Sequence, residues 1–495
     1  MKANLLYLTC AVLLSAPLLA QSPARAADVY VNIAYGGAEQ DGTEARPFTS
    51  IQTGINRAIP GDVVHVKAGT YHESVTLRDQ VDVIGDGYDS VIIDGQYATF
   101  CVEAYDTTDC LLKGVTITRG FAQYGAGVYL SNCTITIDGC LVSDCSAEIG
   151  GGIYATNMST LTLSSTTVAA CKASTVAAGI GINSSTIIAL NCDITQNETL
   201  QYGGGLWLNN STATIDKTAF SRNKALDGGG IYWKSSGGTL RRSIIIDNLI
   251  GRDGAGMFLE VSNPKLTRNY IADNYAYGIC GGVYFWRSAS AAMYNCLIVG
   301  NGSADVAGAV MCDEGGGTLI NNTIVSNAGK SSVGGIAWRS PGSIPTVLNC
   351  IVWGNGDDLS NVTAAYSQIE DGDAGTGNGS ANPLFTNTAT RDYSLSASSP
   401  CINTGHPGAE YNDRDGTRND KGYTGGPYAL VPADVDDNGC VNILDLIAIR
   451  GNMGKDPSSG GISQCDVNKD GRINILDLIA VRAKLSIGCG KPQWP

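Results

Sequence analysis

Residues 203–258 read GGGLWLNNSTATIDKTAFSRNKALDGGGIYWKSSGGTLRRSIIIDNLIGRDGAGMF. Gly205-Leu206-Trp207, Gly230-Ile231-Tyr232 and Gly256-Met257-Phe258 repeat one local pattern at steps of 25 and 26 residues. Followed outward, the pattern sets Gly127, Gly152, Gly179, Gly205, Gly230, Gly256, Gly282, Ala309 and Gly335 in one column, with steps between 25 and 27. A period this regular predicts stacked structural units rather than one sequence-scrambled core. Each unit holds three short β-prone runs, such as Ile231–Trp233, Thr239–Leu240 and Ile244–Ile246. The expected fold class is all-β, a right-handed parallel solenoid with three strands per coil of about 26 residues.

Columns read across the coils support this. The residue after each aligned position is Val128, Ile153, Ile180, Leu206, Ile231, Met257, Val283, Val310 or Ile336, an apolar file expected to face inward. Eight residues before the aligned positions stand Asn197, Asn248, Asn274, Asn301 and Asn327, with Asn223 one place off. Stacked Asn side chains at a bend satisfy turn polar groups by bonding up and down the stack. Cys140, Thr166, Cys192, Thr218, Cys296 and Cys350 share another column, where small buried fillers are expected rather than metal ligands.

The composition excludes several classes. The 495 residues include 63 Gly, only 16% charged residues and 43% hydrophobic ones, which suits neither a disordered chain nor a coiled coil. A net charge of −14 argues against a nucleic-acid partner, whose phosphates need clustered Lys and Arg. Lys2, the apolar run Leu5–Ala20 and Ala24-Arg25-Ala26 read as a signal peptide over 1–26, implying a secreted, extracellular protein. No later segment is apolar enough for a membrane span. Loss of Cys10 with the leader leaves 15 cysteines, an odd number, so at least one thiol stays unpaired or pairs outside the chain.

Alternation makes the column two places after each aligned position face outward: Tyr129, Tyr154, Gly181, Trp207, Tyr232, Phe258, Tyr284 and Met311. Trp207, Tyr232, Phe258 and Tyr284 are the expected sugar-stacking residues, covering of the flank being the alternative. Lys234, Glu260, Asp313 and Arg339 share one further outward column, and Lys234 and Glu260 join the substrate-binding set. Asp227 and Asp253 fall at equivalent places in adjacent coils, about 4.8 Å apart by strand spacing. Such a pair suits acid/base work or a Ca²⁺ held against a uronate. Lys217, Arg242 and Arg268 stack like charges that a polyuronate would compensate. Asp227, Asp253, Arg242 and Arg268 are therefore the candidate catalytic residues, with structural salt bridges as the rival explanation. Two features weigh against catalysis. The three His (His65, His72, His406) lie outside the repeat body, and steps of 25–27 leave no long loops to wall a cleft.

At its beginning the chain resembles the pectin-lyase-like right-handed parallel β-helix family. The resemblance rests on Val29-Tyr30-Val31-Asn32, Ile51-Gln52, Gly61-Asp62-Val63-Val64-His65-Val66 and Ala68-Gly69-Thr70-Tyr71. Ser399-Pro400-Cys401-Ile402 and Asp413-Arg414-Asp415-Gly416 through Gly425-Gly426 resemble terminal segments of its secreted bacterial members. It covers about 28–430, with Ser50–Ala58 placed to cap the open end. It implies a fold that hosts lyases, hydrolases, esterases, epimerases and non-catalytic adhesins. Resemblance to polysaccharide lyases casts one of the basic residues as a proton-abstracting base. The expected function is processing of acidic, uronate-containing polysaccharide by a lyase or glycoside hydrolase, with a non-catalytic carbohydrate-binding or surface protein as the alternative.

The C-terminus carries a calcium-loop pattern twice. Asp434, Asp436, Asn438 and Asp445 occupy the first, third, fifth and twelfth places, with Gly439 sixth for the sharp turn. Asp466, Asn468, Asp470, Gly471 and Asp477 repeat it 32 residues later, and the carbonyls of Cys440 and Arg472 complete the oxygen sets for Ca²⁺. This duplicated loop-helix unit resembles a dockerin type I domain over 432–489, which implies a cohesin-like or other surface docking partner. By that resemblance Arg450 and Arg482 take a partner-facing place. Ile443-Leu444 and Ile475-Leu476 stand where hydroxyl residues are usual, pointing to a more apolar surface. A Cys465–Cys489 disulfide is expected to clasp the second unit.

Overall fold

The structure, a computed structural model, describes residues 28–487 apart from 331–332, 340–341, 430, 432, 437–439, 458–462, 469 and 486. The expected signal peptide over 1–26, Asn438 and Cys489 lie outside the described residues.

The repeat folds as a parallel solenoid, with four strands per coil over most of its length instead of the expected three. In the coil of Leu206 these are Leu206–Asn209, Thr212–Asp216, Ala219–Ser221 and Lys224–Ala225. Stacking them coil on coil makes sheets of 12, 14, 13 and 9 strands, here called sheets 1 to 4 in that chain order. Sheet 4, from Phe121–Tyr124 to Ala328–Gly329, is the one missed from the sequence. Many of its strands are only two residues long, too short for an alternating pattern to register. Register is maintained rung by rung, with Leu206 opposite Ile231 and Ile231 opposite Met257. The file from Val128 to Ile336 is buried along its whole length, as expected for an inward face.

The corners are held by side-chain ladders. Each ladder Asn accepts from one backbone N–H and donates to the next Asn, as in Asn223 N to Asn248 Oδ1 at 3.0 Å and Asn223 Nδ2 to the same oxygen at 3.1 Å. Asn223 belongs to this ladder despite its offset, because the shortened step falls between it and Gly230. The Cys/Thr column is a second ladder, in which Thr218 passes to Ser243, Asn269 and Cys296. A third, formed by Ser159, Ser185, Ser211, Ser236, Ser262 and Ser288, was not expected. These bonds satisfy backbone groups that a tight corner removes from the sheets.

At the N-terminal end, helix α1 (Ile51–Arg57) buries Ile51 and Ile55 over the first coil. Glu73 accepts from the N–H groups of Ile51 (2.7 Å) and Gln52 (3.0 Å), satisfying its first turn. Gly54 permits the close approach, since a Cβ there would meet Val31 at 2.7 Å. At the other end the coils stop at Gln368–Ile369, followed by the hairpin Phe385–Asn387/Asp392–Leu395.

The corner between sheets 2 and 3 turns through residues of positive φ, including Lys217, Arg242, Arg268, Asn295, Asn321 and Asn349. The segment from 403 to 429 runs back along this corner like a strap. Asn349 Oδ1 accepts from His406 N at 2.7 Å, Asn321 Nδ2 donates to Asp420 O at 2.8 Å, and Asn295 Nδ2 donates to Tyr423 O at 2.9 Å. Arg268 then donates to Tyr428 O (2.8 Å) and Ala429 O (3.2 Å). The strap thus returns the chain over several coils before the C-terminal unit begins.

Candidate functional site

The outer face of sheet 1 does not present its aromatic column to solvent where expected. Tyr232, Phe258 and Tyr284 are 4–5% exposed, and Trp207 is half-buried. Their rings touch in series, Tyr232 stacked on Phe258 at 5.0 Å and Phe258 meeting Tyr284 edge-on at 4.8 Å. Tyr202, Ile279, Cys280, Val306 and Ala307, from the segments before each aligned glycine, close over them as a second apolar cluster. The expectation of an open stacking flank is overturned at these positions, because the fourth strand folds the connecting segment across the column.

The neighbouring charges are compensated within the solenoid. Lys234 pairs with Glu260 at 2.9 Å, and Glu260 also accepts from the Tyr232 hydroxyl. Asp313 accepts from Tyr284 Oη at 2.9 Å and pairs with Arg339. Burial and then the adjacent carboxylate push the Tyr232 and Tyr284 hydroxyls far up, so both stay protonated. Asp227 is fully buried, holds Arg252 through both carboxylate oxygens (Nε to Oδ1 at 2.9 Å) and accepts from Asp253 N at 3.1 Å. Asp253 accepts from Ile279 N at 2.8 Å, and its carboxyl is raised by burial and by Asp227. The two aspartates are adjacent, as their spacing implied, but both are engaged in holding the wall in place.

The basic column meets a real cavity. Lys217, Arg242 and Arg268 line a space of about 540 Å³ together with Tyr270, Asp392, Ser394, Tyr423 and Asp434. Its walls are the strap, the hairpin and the first calcium loop, none of which shows the repeat. Arg242 Nε donates to Asp216 at 2.7 Å, and Arg241 shares the same carboxylate at 3.2 Å. Burial, then the charges of Arg414 and Arg242, push Arg268 down to about 8. Its guanidinium donates to the carbonyls of Tyr428 and Ala429, which fix it against the strap. Burial and Arg242 lower Lys217 in the same way.

In the C-terminal unit, helices α2 (Ile443–Asn452) and α3 (Ile475–Arg482) each begin with a capping box. Asp445 accepts from Asn442 N at 2.7 Å and Asp436 N at 3.1 Å; Asp477 repeats this with Asn474 N at 2.8 Å and Asn468 N at 3.1 Å. Both carboxylates are fully buried and, among the described residues, pair with no Lys or Arg. Carboxylate oxygens of Asp434, Asp436 and Asp445 lie within 4.8 Å of one another, a grouping that fits a hard divalent cation. In the second loop Asp466 accepts from Asp470 N and Gly471 N, and Gly471 turns at φ +82°. The carbonyls of Cys440 and Arg472 stand at the seventh places, each accepting from an Asn side chain. Asp434 also pairs with the buried strap residue Arg414 at 3.3 Å, tying the first loop to the solenoid.

Ile443, Ile447, Ile475 and Ile479 are each more than half exposed. With Leu446, Leu478, Arg450 and Arg482 they line a groove of about 300 Å³, its two halves supplied by equivalent positions of the two helices. Leu444 and Leu476 are also about half exposed. The Cys465–Cys489 clasp does not form: Cys465 is a free, buried thiol beneath α2, and Cys440 is the disulfide-bonded one. Every other described cysteine is free, so the partner of Cys440 lies outside the described residues. Among the described residues no helix is long and apolar enough to cross a membrane.

The model of the right handed beta helix region matches residues 88–203, 171–302 and 204–388, and that of the dockerin type I domain matches 432–486. No curated protein sequence matches the chain. Among solved structures, a pectate lyase aligns at 15% identity over 80% of this chain and 95% of its own, with a TM-score of 0.39. The A-module of a mannuronan C-5 epimerase from Azotobacter vinelandii aligns at 15% identity over 70% and 99%, with a TM-score of 0.38. An alginate lyase from a Paenibacillus strain aligns at 11% identity over 64% and 99%, with a TM-score of 0.30.

Proposed function

Because the chain belongs to the right-handed β-helix family and carries a C-terminal dockerin type I domain, we propose that it is an extracellular protein that docks through calcium-loaded helices and directs its solenoid at acidic, uronate-bearing polysaccharide. The observation that carries the docking half is the exposed two-helix groove mounted on buried carboxylates. Asp434, Asp436, Asn438, the Cys440 carbonyl and Asp445 would hold one Ca²⁺. Asp466, Asn468, Asp470, the Arg472 carbonyl and Asp477 would hold the other. Bound calcium supplies the positive charge that lets these carboxylates converge. The residues themselves then fix the angle between α2 and α3 and so the shape of the groove. The partner is a cohesin-like module whose contact surface is largely apolar, with Arg450 and Arg482 meeting acidic or carbonyl groups at its rim. Titration calorimetry with a cohesin module should show binding in calcium and none in EDTA. Binding that is indifferent to EDTA would sink this half.

The glycan half rests on the cavity lined by Lys217, Arg242 and Arg268, three cationic side chains that could meet a uronate carboxylate. Lyase or hydrolase turnover would appear as new unsaturated or reducing ends released from polygalacturonate or alginate. The non-catalytic reading is favoured by one observation: Asp227 and Arg242 are both committed to ion pairs. Polyuronate binding lost in Arg242→Ala, with no products from the parent protein, would decide for that reading. Neither binding nor turnover on any acidic glycan would reject both.

A further inference from the structure

Seven Tyr and Phe side chains are exposed among the described residues, and five of them lie between Tyr88 and Tyr124. Three of these five, Tyr105, Phe121 and Tyr124, stand where the aromatic column of sheet 1 begins. Tyr105 is 50% exposed and its ring lies 5.5 Å from that of Tyr129. Half-buried Tyr129 lies 6.2 Å from Tyr154, which is itself only 7% exposed beneath Tyr124, stacked on it at 6.0 Å, so the patch is open at its first rung alone. The cover that buries Tyr232 is missing here for a topological reason. Sheet 4 starts only with Phe121–Tyr124, so the rung of Tyr105 has no wall beside it, and Tyr124 is the first wall residue of the file Ile149, Val176 and Tyr202.

The rim of this patch carries acceptors. Glu103 accepts from Tyr105 Oη at 3.0 Å, Glu148 from Gln123 Nε2 at 3.2 Å, and Asp106 from Asn132 Nδ2 at 2.7 Å. None of the three carboxylates pairs with a Lys or Arg among the described residues. Burial and the hydrogen bond to Glu103 raise the Tyr105 hydroxyl to about 12.

We propose that exposed Tyr105 and Tyr124, with half-buried Tyr129 between them and buried Tyr154 as their base, form a platform that binds a neutral polysaccharide. The Tyr105 and Tyr129 rings at successive rungs, with Tyr124 beside them, give a ridged apolar track for the C–H faces of pyranose rings, and the Tyr105 hydroxyl is fixed by Glu103. The rim carboxylates accept from sugar hydroxyls, charge-assisted bonds that a neutral chain can supply. The same uncompensated charges repel a polyuronate. This platform differs from the cationic cavity both in position and in ligand class, and so goes beyond the acidic-glycan reading.

Affinity electrophoresis of the full chain in gels containing glucomannan, xylan or polygalacturonate tests the proposal. The expected result is retardation by at least one neutral glycan, weakened about tenfold in Tyr105→Ala/Tyr129→Ala and kept in Tyr105→Phe. Unchanged thermal unfolding of the double variant would exclude misfolding as the cause. If unfolding does shift, Tyr105→Ala alone, which removes an exposed ring, carries the test. Absence of retardation in both neutral gels, or equal retardation of parent and variant, overturns the proposal. Polygalacturonate retardation that survives in the variant leaves the cavity reading standing by itself.

Discussion

The first coils and the middle coils of the solenoid carry the same outward aromatic column and put it to opposite use. At the column's first rung, Tyr129 is half-buried beside the exposed Tyr105 and Tyr124, whereas from Tyr232 to Tyr284 the column is a second core. The column itself does not change; what changes is whether the segment after sheet 3 has a neighbour to pair with. Once sheet 4 is established, each connecting segment lies over the ring below it and Asp227–Arg252 pins the wall. Outward in a strand is therefore not the same as exposed in a protein. Alternation sets direction, and cover is decided by a neighbouring layer.

Removing a ring from each region should separate them most clearly. Tyr232→Ala is expected to cost about 3–4 kcal/mol, as for truncation of a buried aromatic, read as a lower urea midpoint at unchanged slope. A midpoint shift no larger than that of a surface change would mean the middle column is not a core. Next in size, Arg252→Ala leaves Asp227 buried without its cation. The expected loss is about 2 kcal/mol, below that of a fully buried pair because Arg252 is half exposed. Stability measured across pH sharpens the same point at Asp253, whose carboxyl is raised by burial and by Asp227. A raised carboxyl contributes most below its ordinary value of 3.8 and loses that contribution as pH rises through the folded value. Asp253→Asn should thus match the parent in acid and exceed it at neutral pH, and an identical pH profile would contradict this. The smallest effect belongs to Tyr105→Ala, within about 0.5 kcal/mol of the parent. A larger loss would show that the open platform, too, is structural.

Much of the solenoid was legible from periodicity. The buried file from Val128 to Ile336 and the Asn ladder both follow from one-period arithmetic, since stacking makes equivalent residues neighbours. The Ser ladder was equally periodic, but serines at turns attract no attention in a sequence where turns are expected. Sheet 4 escaped because two-residue strands carry no alternation, and with it went the cover over Tyr232, Phe258 and Tyr284. The cationic cavity was half visible: the column of Lys217, Arg242 and Arg268 could be counted, but not the strap and hairpin that enclose it. Those segments have no repeat, and their positions follow from side chains such as Asn295 and Asn321 bonding carbonyls more than a hundred and close to a hundred residues away. In the C-terminal unit the loop-helix duplication is local and was readable. The disulfide was not, because spacing says nothing about which of Cys440 and Cys465 packs beneath α2 as a free thiol.

By itself the sequence determined the coil, its inward file and the duplicated loop-helix unit, because each depends on interactions between residues at a constant separation along the chain. Only the tertiary structure decided which aromatic rings meet solvent, which carboxylates are already paired and where the strap lies. Those outcomes depend on layers that approach from distant parts of the chain, and no fixed interval records such an approach.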